Sequence, residues 1–176
     1  MPVRVIAGKY RRRLLQTLPG NETRPMLDRM RETLFNVLQN RLAGKVFVDL
    51  YAGTGAVGIE ALSRGAVKAF FVEENFRATD VIRQNLRLLG AESESELIQS
   101  SVQKALPGVT GDIFFLGPPY AASEEYEKTL QALGDKPPEL VIVQHAKENP
   151  LSEAYGRLRR FRVIHQGTNS LSFYSE

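Results

Sequence analysis

The spacing of hydrophobic positions changes period several times along the chain, and each change marks an element. Val3–Ala7 and Arg13–Thr17 predict two short strands around a basic turn, Gly8-Lys9-Tyr10-Arg11-Arg12, and Pro19-Gly20-Asn21 is turn chemistry. Asp28 can cap a helix running to about Gln39; Met30, Leu34, Val37 and Leu38, with Leu42 just beyond, fall on one stripe, and Arg29, Arg31 and Glu32 lie outside it. Val46–Tyr51 then predicts a buried strand, followed by a glycine loop and a helix over Val57–Ser63. Ala69–Glu73, Glu96–Gln99, Ile113–Leu116 and Leu140–Gln144 repeat the strand signal, while Arg77–Leu89 and Glu124–Leu133 have helical period. Strands alternating with helices predict a parallel sheet built from βαβ units. The tail differs: Arg159–His165 and Ser170–Tyr174, joined through Gly167-Thr168-Asn169, predict an antiparallel hairpin.

The fold class is therefore α/β, a mostly parallel sheet with helices on both faces, closed by a C-terminal antiparallel hairpin and preceded by a short N-terminal β-hairpin and helix. The 176 residues, 43% of them apolar, suit one domain. Within it we distinguish an N-terminal extension, residues 1–45, from a core, residues 46–176. The extension carries 10 Lys/Arg against 3 Asp/Glu, the core 13 against 17, so a basic arm joins a mildly acidic body. Such an arm fits a polyanionic partner, or simply a solvated surface. The chain has no cysteine and only two histidines, His145 and His165, which argues against thiolate chemistry and against a metal site; both histidines are read as structural or surface residues. No apolar run approaches the roughly 20 residues of a membrane span, and a soluble cytoplasmic protein is expected.

The densest chemistry lies in Val48-Asp49-Leu50-Tyr51-Ala52-Gly53-Thr54-Gly55-Ala56-Val57-Gly58, a strand, a glycine turn and a helix start in order. Glycines let backbone approach a ligand closely, and the helix start offers unpaired N–H groups. Glu73 follows Gly53 by twenty residues and ends the next strand, where a carboxylate can accept hydrogen bonds from both ribose hydroxyls of an adenosine. Gly53, Gly55 and Gly58 also satisfy a dinucleotide pattern, and a small NAD-dependent oxidoreductase is a competing reading. Asp49 weighs against it, because a carboxylate beside the loop repels a pyrophosphate but favours a sulfonium and an ammonium. Asp49 as a cap of the following helix is the alternative role.

Ile113-Phe114-Phe115-Leu116-Gly117-Pro118-Pro119-Tyr120 resembles motif IV of amino-directed methyltransferases, where a polar residue, Pro-Pro and an aromatic end the fourth strand. With that motif in view, the chain resembles the bacterial small-subunit (16S) rRNA guanine-N2 methyltransferase family over nearly its whole length. Arg4-Val5-Ile6-Ala7-Gly8 with Arg12 matches the opening hairpin, and Arg24-Pro25 with Asp28-Arg29-Met30-Arg31-Glu32-Thr33-Leu34-Phe35-Asn36 matches the signature helix. The Asp49–Gly55 loop with Gly58 through Gly65, Val72-Glu73, Asn85, and Gly167 through Tyr174 match the remaining units.

The resemblance implies a Rossmann-like fold, S-adenosylmethionine as cofactor, and small-subunit rRNA or an assembling ribosomal subunit as partner, with no metal and no membrane. It implies cofactor contacts from Asp49, Tyr51, Ala52, Gly53, Thr54, Gly55, Glu73, Glu74 and Ser101, and a catalytic platform of Gly117, Pro118, Pro119 and Tyr120, the tyrosine stacking on the base. RNA phosphate contacts fall to Lys9, Arg11, Arg12, Arg13, Arg24, Arg29 and Arg31, three of which crowd a helix start where cations are disfavoured. The chain departs from the family at Gly117, which stands where a polar residue, usually Asp, accepts the hydrogens of the target amine; Ser101, Met26-Leu27 and Gln144 are lesser departures. Three outcomes stay open: turnover through the Pro118 carbonyl and Tyr120, a carboxylate such as Asp112 or Glu124 reaching in, or a ligand- and RNA-binding relative with impaired catalysis. Gly117→Asp is expected to raise methyl transfer.

Overall fold

The computed structural model describes residues 2–20, 28–117 and 123–176; Arg24, Met26, Leu27, Pro118, Pro119 and Tyr120 lie outside the described residues. A two-stranded hairpin, β1 (Val3–Arg4) with β2 (Leu14–Leu15), precedes α1 (Asp28–Leu38). There follow β3 (Val46–Leu50), α2 (Ala56–Ser63), β4 (Lys68–Glu73), α3 (Phe76–Leu89), β5 (Ser95–Gln99), α4 (Val102–Ala105), β6 (Ile113–Leu116), α5 (Ser123–Asp135) and β7 (Leu140–Ala146). The chain ends in β8 (Ala154–Tyr155), β9 (Leu158–Gln166) and β10 (Asn169–Ser175).

Eight strands form one sheet in the order β5-β4-β3-β6-β7-β10-β9-β8. The first five are parallel, and β10, β9 and β8 add antiparallel to them, as the sequence pattern predicts. The two-residue β8 and the short α4 carry too little period to be legible in the sequence. Apolar residues of α1, α2 and α3 cover one face, with Leu34, Phe35 and Leu38 of α1 packed in the same core as Phe47, Ile113 and Ile142. On the other face α5 sets Tyr126, Leu130 and Leu133 against Val48, Phe114, Val141 and Val143, with Val102 of α4 beside them.

The chain winds outward from β3 to β4 and β5, then returns to place β6 on the opposite side of β3. The crevice where the winding reverses, at the carboxyl ends of β3 and β6, is where ligands bind in open α/β sheets. Leu50, the last residue of β3, pairs with Leu116, the last of β6, and with Val72 of β4. The glycine loop, Gly117 and Glu73 thus leave the sheet side by side.

Candidate functional site

The loop after β3 is shaped by its backbone. Tyr51 takes φ +60°, and Gly53 and Gly55 take +59° and +86°, so the chain turns sharply back before entering α2. Left-handed backbone at three closely spaced sites favours glycine at most of them. The third glycine acts differently: a Cβ at Gly58 would lie 2.4 Å from a ring carbon of Phe71 on β4, so its absence lets α2 sit close on the sheet. Ala52 N–H donates to Val72 O at 2.9 Å, and Gly55 N–H to Ala52 O at 2.9 Å, which locks the turn. Asn85 of α3 reaches under it and donates from Nδ2 to Thr54 O at 3.1 Å.

Glu73 ends β4 facing this loop. Its Oε1 accepts the Gly53 N–H and its Oε2 the Asn75 N–H, each at 2.8 Å. Each oxygen keeps a free acceptor site, and the side chain is half-buried, so an anionic, doubly accepting group stands fixed beside the glycine turn. Asn75 is a residue that sequence reasoning missed: its side chain also caps α3, accepting from Arg77 N and Ala78 N, so one residue fixes both the helix start and the carboxylate. The Asn at that position, just before a helical run, is the signal that could have found it. Glu74 is exposed beside it. Ser100 N–H donates to Glu73 O at 3.1 Å, which brings the segment around Ser101 to the same rim; Ser101 itself caps α4 through Lys104 N.

Two expected cofactor contacts point elsewhere. Asp49 is 1% exposed, and its Oδ2 accepts the Gly58 N–H at 3.0 Å, so its side chain holds the first turn of α2, the capping role. Burial drives its pKa well above the ordinary value; the Gly58 hydrogen bond pulls the other way and the Glu73 charge adds to the rise. Tyr51 turns toward α5, its Oη 2.8 Å from Glu125 Oε2 and 2.9 Å from Thr129 Oγ1.

The raised Asp49 pKa has a testable sign. A native carboxyl that holds its proton more tightly than the unfolded chain does costs stability as pH rises above the unfolded value and toward the native one. Asp49→Asn keeps an acceptor for Gly58 N–H and removes that cost. In thermal melts without ligand the variant should match the parent below about pH 4 and melt increasingly higher as pH rises toward neutrality. Parallel curves across that range would contradict the assignment.

The basic residues separate into groups. Lys9, Arg11, Arg12 and Arg13 stand at the opposite end of the sheet from the glycine loop, because the hairpin tip docks on the end of α2. Lys9 N–H donates to Ser63 O and Tyr10 N–H to Ser63 Oγ, each at 2.9 Å. Lys9 pairs with Glu94 at 2.8 Å, and Arg13 donates to Leu88 O at the end of α3. Arg29 is exposed in the first turn of α1, one turn before Thr33, whose Oγ1 lies 3.4 Å from Gln166 Oε1 beside the carboxyl end of β7, so Arg29 stands toward the loop end of the sheet. Arg31 corrects the sequence expectation. It is fully buried, bonded to Arg4 O and Asp28 and paired with Glu60 at 3.6 Å, so it ties the hairpin to α1 and α2 and presents nothing to a phosphate. The helical stripe alone could not show this, since the groups that bury Arg31 come from distant parts of the chain.

Asp112 is also placed away from the crevice, accepting the Val46 N–H at 2.8 Å at the start of β3; Glu124 is exposed in the first turn of α5. His145 is buried with Nε2 2.8 Å from Ser172 Oγ, and burial lowers its pKa. The arrangement at the crevice is therefore a rigid glycine turn, one fixed carboxylate able to take two hydroxyl donors, and, beside it on β6, a glycine at the head of a Pro-Pro-Tyr segment.

A family model described as Conserved hypothetical protein 95 matches residues 3–175. A protein named Ribosomal RNA small subunit methyltransferase D from Haemophilus influenzae is 35% identical over 158 residues, covering 85% of this chain and 81% of that one. A solved structure of a hypothetical protein from Thermus thermophilus superposes with a TM-score of 0.81 at 28% identity, covering 97% and 98% of the two chains. An RNA methyltransferase from Salinibacter ruber, solved in complex with S-adenosyl-L-homocysteine, shares the fold at a TM-score of 0.69 and 15% identity, covering 86% of this chain and 93% of that one. The sheet order, the glycine turn with its carboxylate, and these matches along almost the full length lead to one assignment: this chain belongs to the Conserved hypothetical protein 95 family, that of the bacterial small-subunit ribosomal RNA methyltransferase D proteins.

Proposed function

We propose that this chain transfers a methyl group from S-adenosylmethionine to the exocyclic N2 amine of a guanine in small-subunit rRNA, acting in the cytoplasm on RNA or on an assembling subunit. The observation that carries the reading is the juxtaposition at the crevice: Leu50 pairs with Leu116, and Glu73 holds the turn that follows Leu50.

The residues present fit the cofactor. The Glu73 carboxylate, with an acceptor site left on each oxygen, would take the two ribose hydroxyls. The Ala52–Gly55 backbone would border the amino-acid part, and the segment around Ser101, joined to Glu73 by the Ser100 hydrogen bond, would border the adenine. Asp49 and Tyr51 act from behind, one fixing α2 and the other fixing α5 against the loop. When bound, S-adenosylmethionine supplies an electrophilic methyl group. A guanine amine is a weak nucleophile because its lone pair is delocalised into the ring, so the protein must orient it and hold its hydrogens. Pro118, Pro119 and Tyr120 would hold the flipped base, the tyrosine by stacking. Arg29 would meet the RNA backbone near the crevice, while Lys9, Arg11, Arg12 and Arg13 would meet it only where the RNA extends around the sheet; Arg24, a further expected phosphate contact, lies outside the described residues.

A binding-only relative, which Gly117 brings into view, makes a different prediction. Small subunits from cells lacking the protein, incubated with purified protein and tritiated S-adenosylmethionine, should acquire label in their RNA, with DNA and naked protein unlabelled. Retention of S-adenosylhomocysteine and RNA without label in any acceptor would favour the binding module instead.

A further inference from the structure

Gly117, the residue after β6, lies beside Gln144 within β7, since Leu116 of β6 pairs with Val143 of β7. A Cβ built on Gly117 would lie 3.0 Å from Phe115 Cε2, 3.4 Å from Phe115 Cζ and 3.7 Å from Gln144 Oε1. The space into which a polar side chain at position 117 would grow is thus partly taken by the Phe115 ring and bordered by the carbonyl oxygen of Gln144. A carboxylate there would set its oxygens two bonds beyond Cβ, and Gln144 Oε1, 3.7 Å from that Cβ, borders the same space from the neighbouring strand.

The backbone of Gln144 is fixed. Its carbonyl accepts from Tyr126 Oη at 2.7 Å, and it pairs with Leu171 of β10. Its side chain is half-buried among residues whose sheet face is apolar, Ile142, Leu171 and Phe115, and its amide has no hydrogen bond within the described residues. The amide is not shut off from solvent, so a ligand edge can take the place of water on it. Asp112 is bound at the far end of β6, and Glu73 and Asp49 are engaged at the glycine turn.

We infer that Gln144 supplies, through Oε1, the acceptor that Gly117 lacks, holding one hydrogen of the target guanine amine; the inference rests on the guanine-N2 reading above. A carboxamide suits that edge in particular. Guanine offers the N2 amine as donor beside N3 as acceptor, and Oε1 with the Nε2 hydrogens complements both. Adenine has no amine at that carbon and leaves Oε1 unpaired, so the residue also discriminates between purines. As the nitrogen lone pair forms the bond to the methyl carbon, the carbon–sulfur bond breaks with its electrons going to sulfur. The amine proton leaves to water, because an amide carbonyl holds a proton without taking it.

The test uses the full chain with small subunits from cells lacking it, and S-adenosylhomocysteine as the calorimetric probe. Gln144→Ala should lower kcat by about 10²–10³-fold, the range for loss of one pre-organised polar group, with S-adenosylhomocysteine affinity unchanged. Gly117→Asn in the Gln144→Ala background should recover at least about tenfold, by supplying an acceptor from the neighbouring strand. In the parent background Gly117→Asp must displace the Phe115 ring and compete with Gln144, so its gain should be smaller than the rescue. Gln144→Ala turning over within about twofold of the parent, or losing S-adenosylhomocysteine binding along with its rate, would overturn the inference while leaving the guanine-N2 reading standing. A parent that binds S-adenosylhomocysteine and labels no RNA would overturn that reading, and this inference with it.

Discussion

Glu73→Ala is expected to weaken S-adenosylhomocysteine binding by about 10²-fold or more while leaving most of the fold intact. The carboxylate closes the turn through Gly53 N–H and is itself set by Asn75 N–H, both at 2.8 Å. Hydrogen bonds to a charged group contribute about 1.5–3 kcal/mol each. Two such bonds to ribose amount to roughly 3 kcal/mol at the lower end, which converts to about a hundredfold in affinity. The turn loses its anchor as well, so the backbone that faces the ligand relaxes. Glu73→Gln should fall between parent and alanine: its amide keeps one acceptor but must turn an N–H₂ toward a backbone N–H that now has no partner. Isothermal titration of both variants and the parent checks this, with NAD as the control. Equal affinities for S-adenosylhomocysteine in parent and Glu73→Ala would remove the ribose assignment, and NAD binding to the parent would revive the oxidoreductase reading.

The second large effect is on stability. Glu60 is completely buried on α2, and its two oxygens accept Ile6 N–H at 2.9 Å and Ala7 N–H at 3.0 Å, with Arg64 Nε at 2.8 Å. Arg31, equally buried, lies 3.6 Å away, and its Nε and Nη1 find no hydrogen-bond partner among the described residues. Burial lowers the pKa of the Arg31 guanidinium, and the Glu60 charge is the largest influence raising it again. Glu60→Ala therefore leaves the buried Arg31 cation with the exposed Asp28 carboxylate as its remaining acidic partner among the described residues, and two hairpin N–H groups without their acceptor. Breaking a buried pair from one side costs about 3–5 kcal/mol, a large share of the roughly 5–15 kcal/mol that stabilises a domain. Arg31→Met combined with Glu60→Ala should cost less than the sum of the two single changes, because the stranded charge is gone. Urea unfolding of the parent, the two single variants and the double variant measures this. A loss under about 1 kcal/mol in Glu60→Ala would mean that the network stabilises little.

These two sites also show what the sequence makes legible. The strands, the mostly parallel sheet and the loop that borders the crevice follow from local signals: buried runs at Val46–Leu50 and Ile113–Leu116, glycines at fixed offsets, and an acid twenty residues past Gly53 at the end of the next strand. Glu73 was findable because its role depends on spacing along one βαβ unit. Arg31 was not, because its surroundings are assembled by tertiary contact, and for Asp49 the sequence offers the helix-capping role only as the alternative to a ligand contact. Asp49 lies in the strand that leads into the loop, yet the close packing of α2 on Phe71 turns its carboxylate inward to Gly58. Arg31 lies among basic residues whose pattern reads as solvent-facing, yet the N-terminal hairpin folds over it. The same docking, through Ser63, carries Lys9 and Arg11–Arg13 to the far end of the sheet, which charge counting along the chain cannot anticipate.

Gly117 is the departure that matters most for the chemistry, and its neighbours change its meaning. Taken alone, a glycine in place of an acceptor reads as a loss. Beside a half-buried carboxamide on the adjacent strand that has no hydrogen bond among the described residues, it reads as a site where the acceptor has moved from β6 to β7.

The most direct measurement is the identity of the product base. Small-subunit RNA from cells lacking the protein, treated with the purified chain and S-adenosylmethionine, is digested to nucleosides and separated by mass spectrometry. The account predicts a single new species, N2-methylguanosine, absent when the Glu73→Ala protein is used. Methyl groups on adenine or cytosine, or on no nucleoside at all, would contradict it.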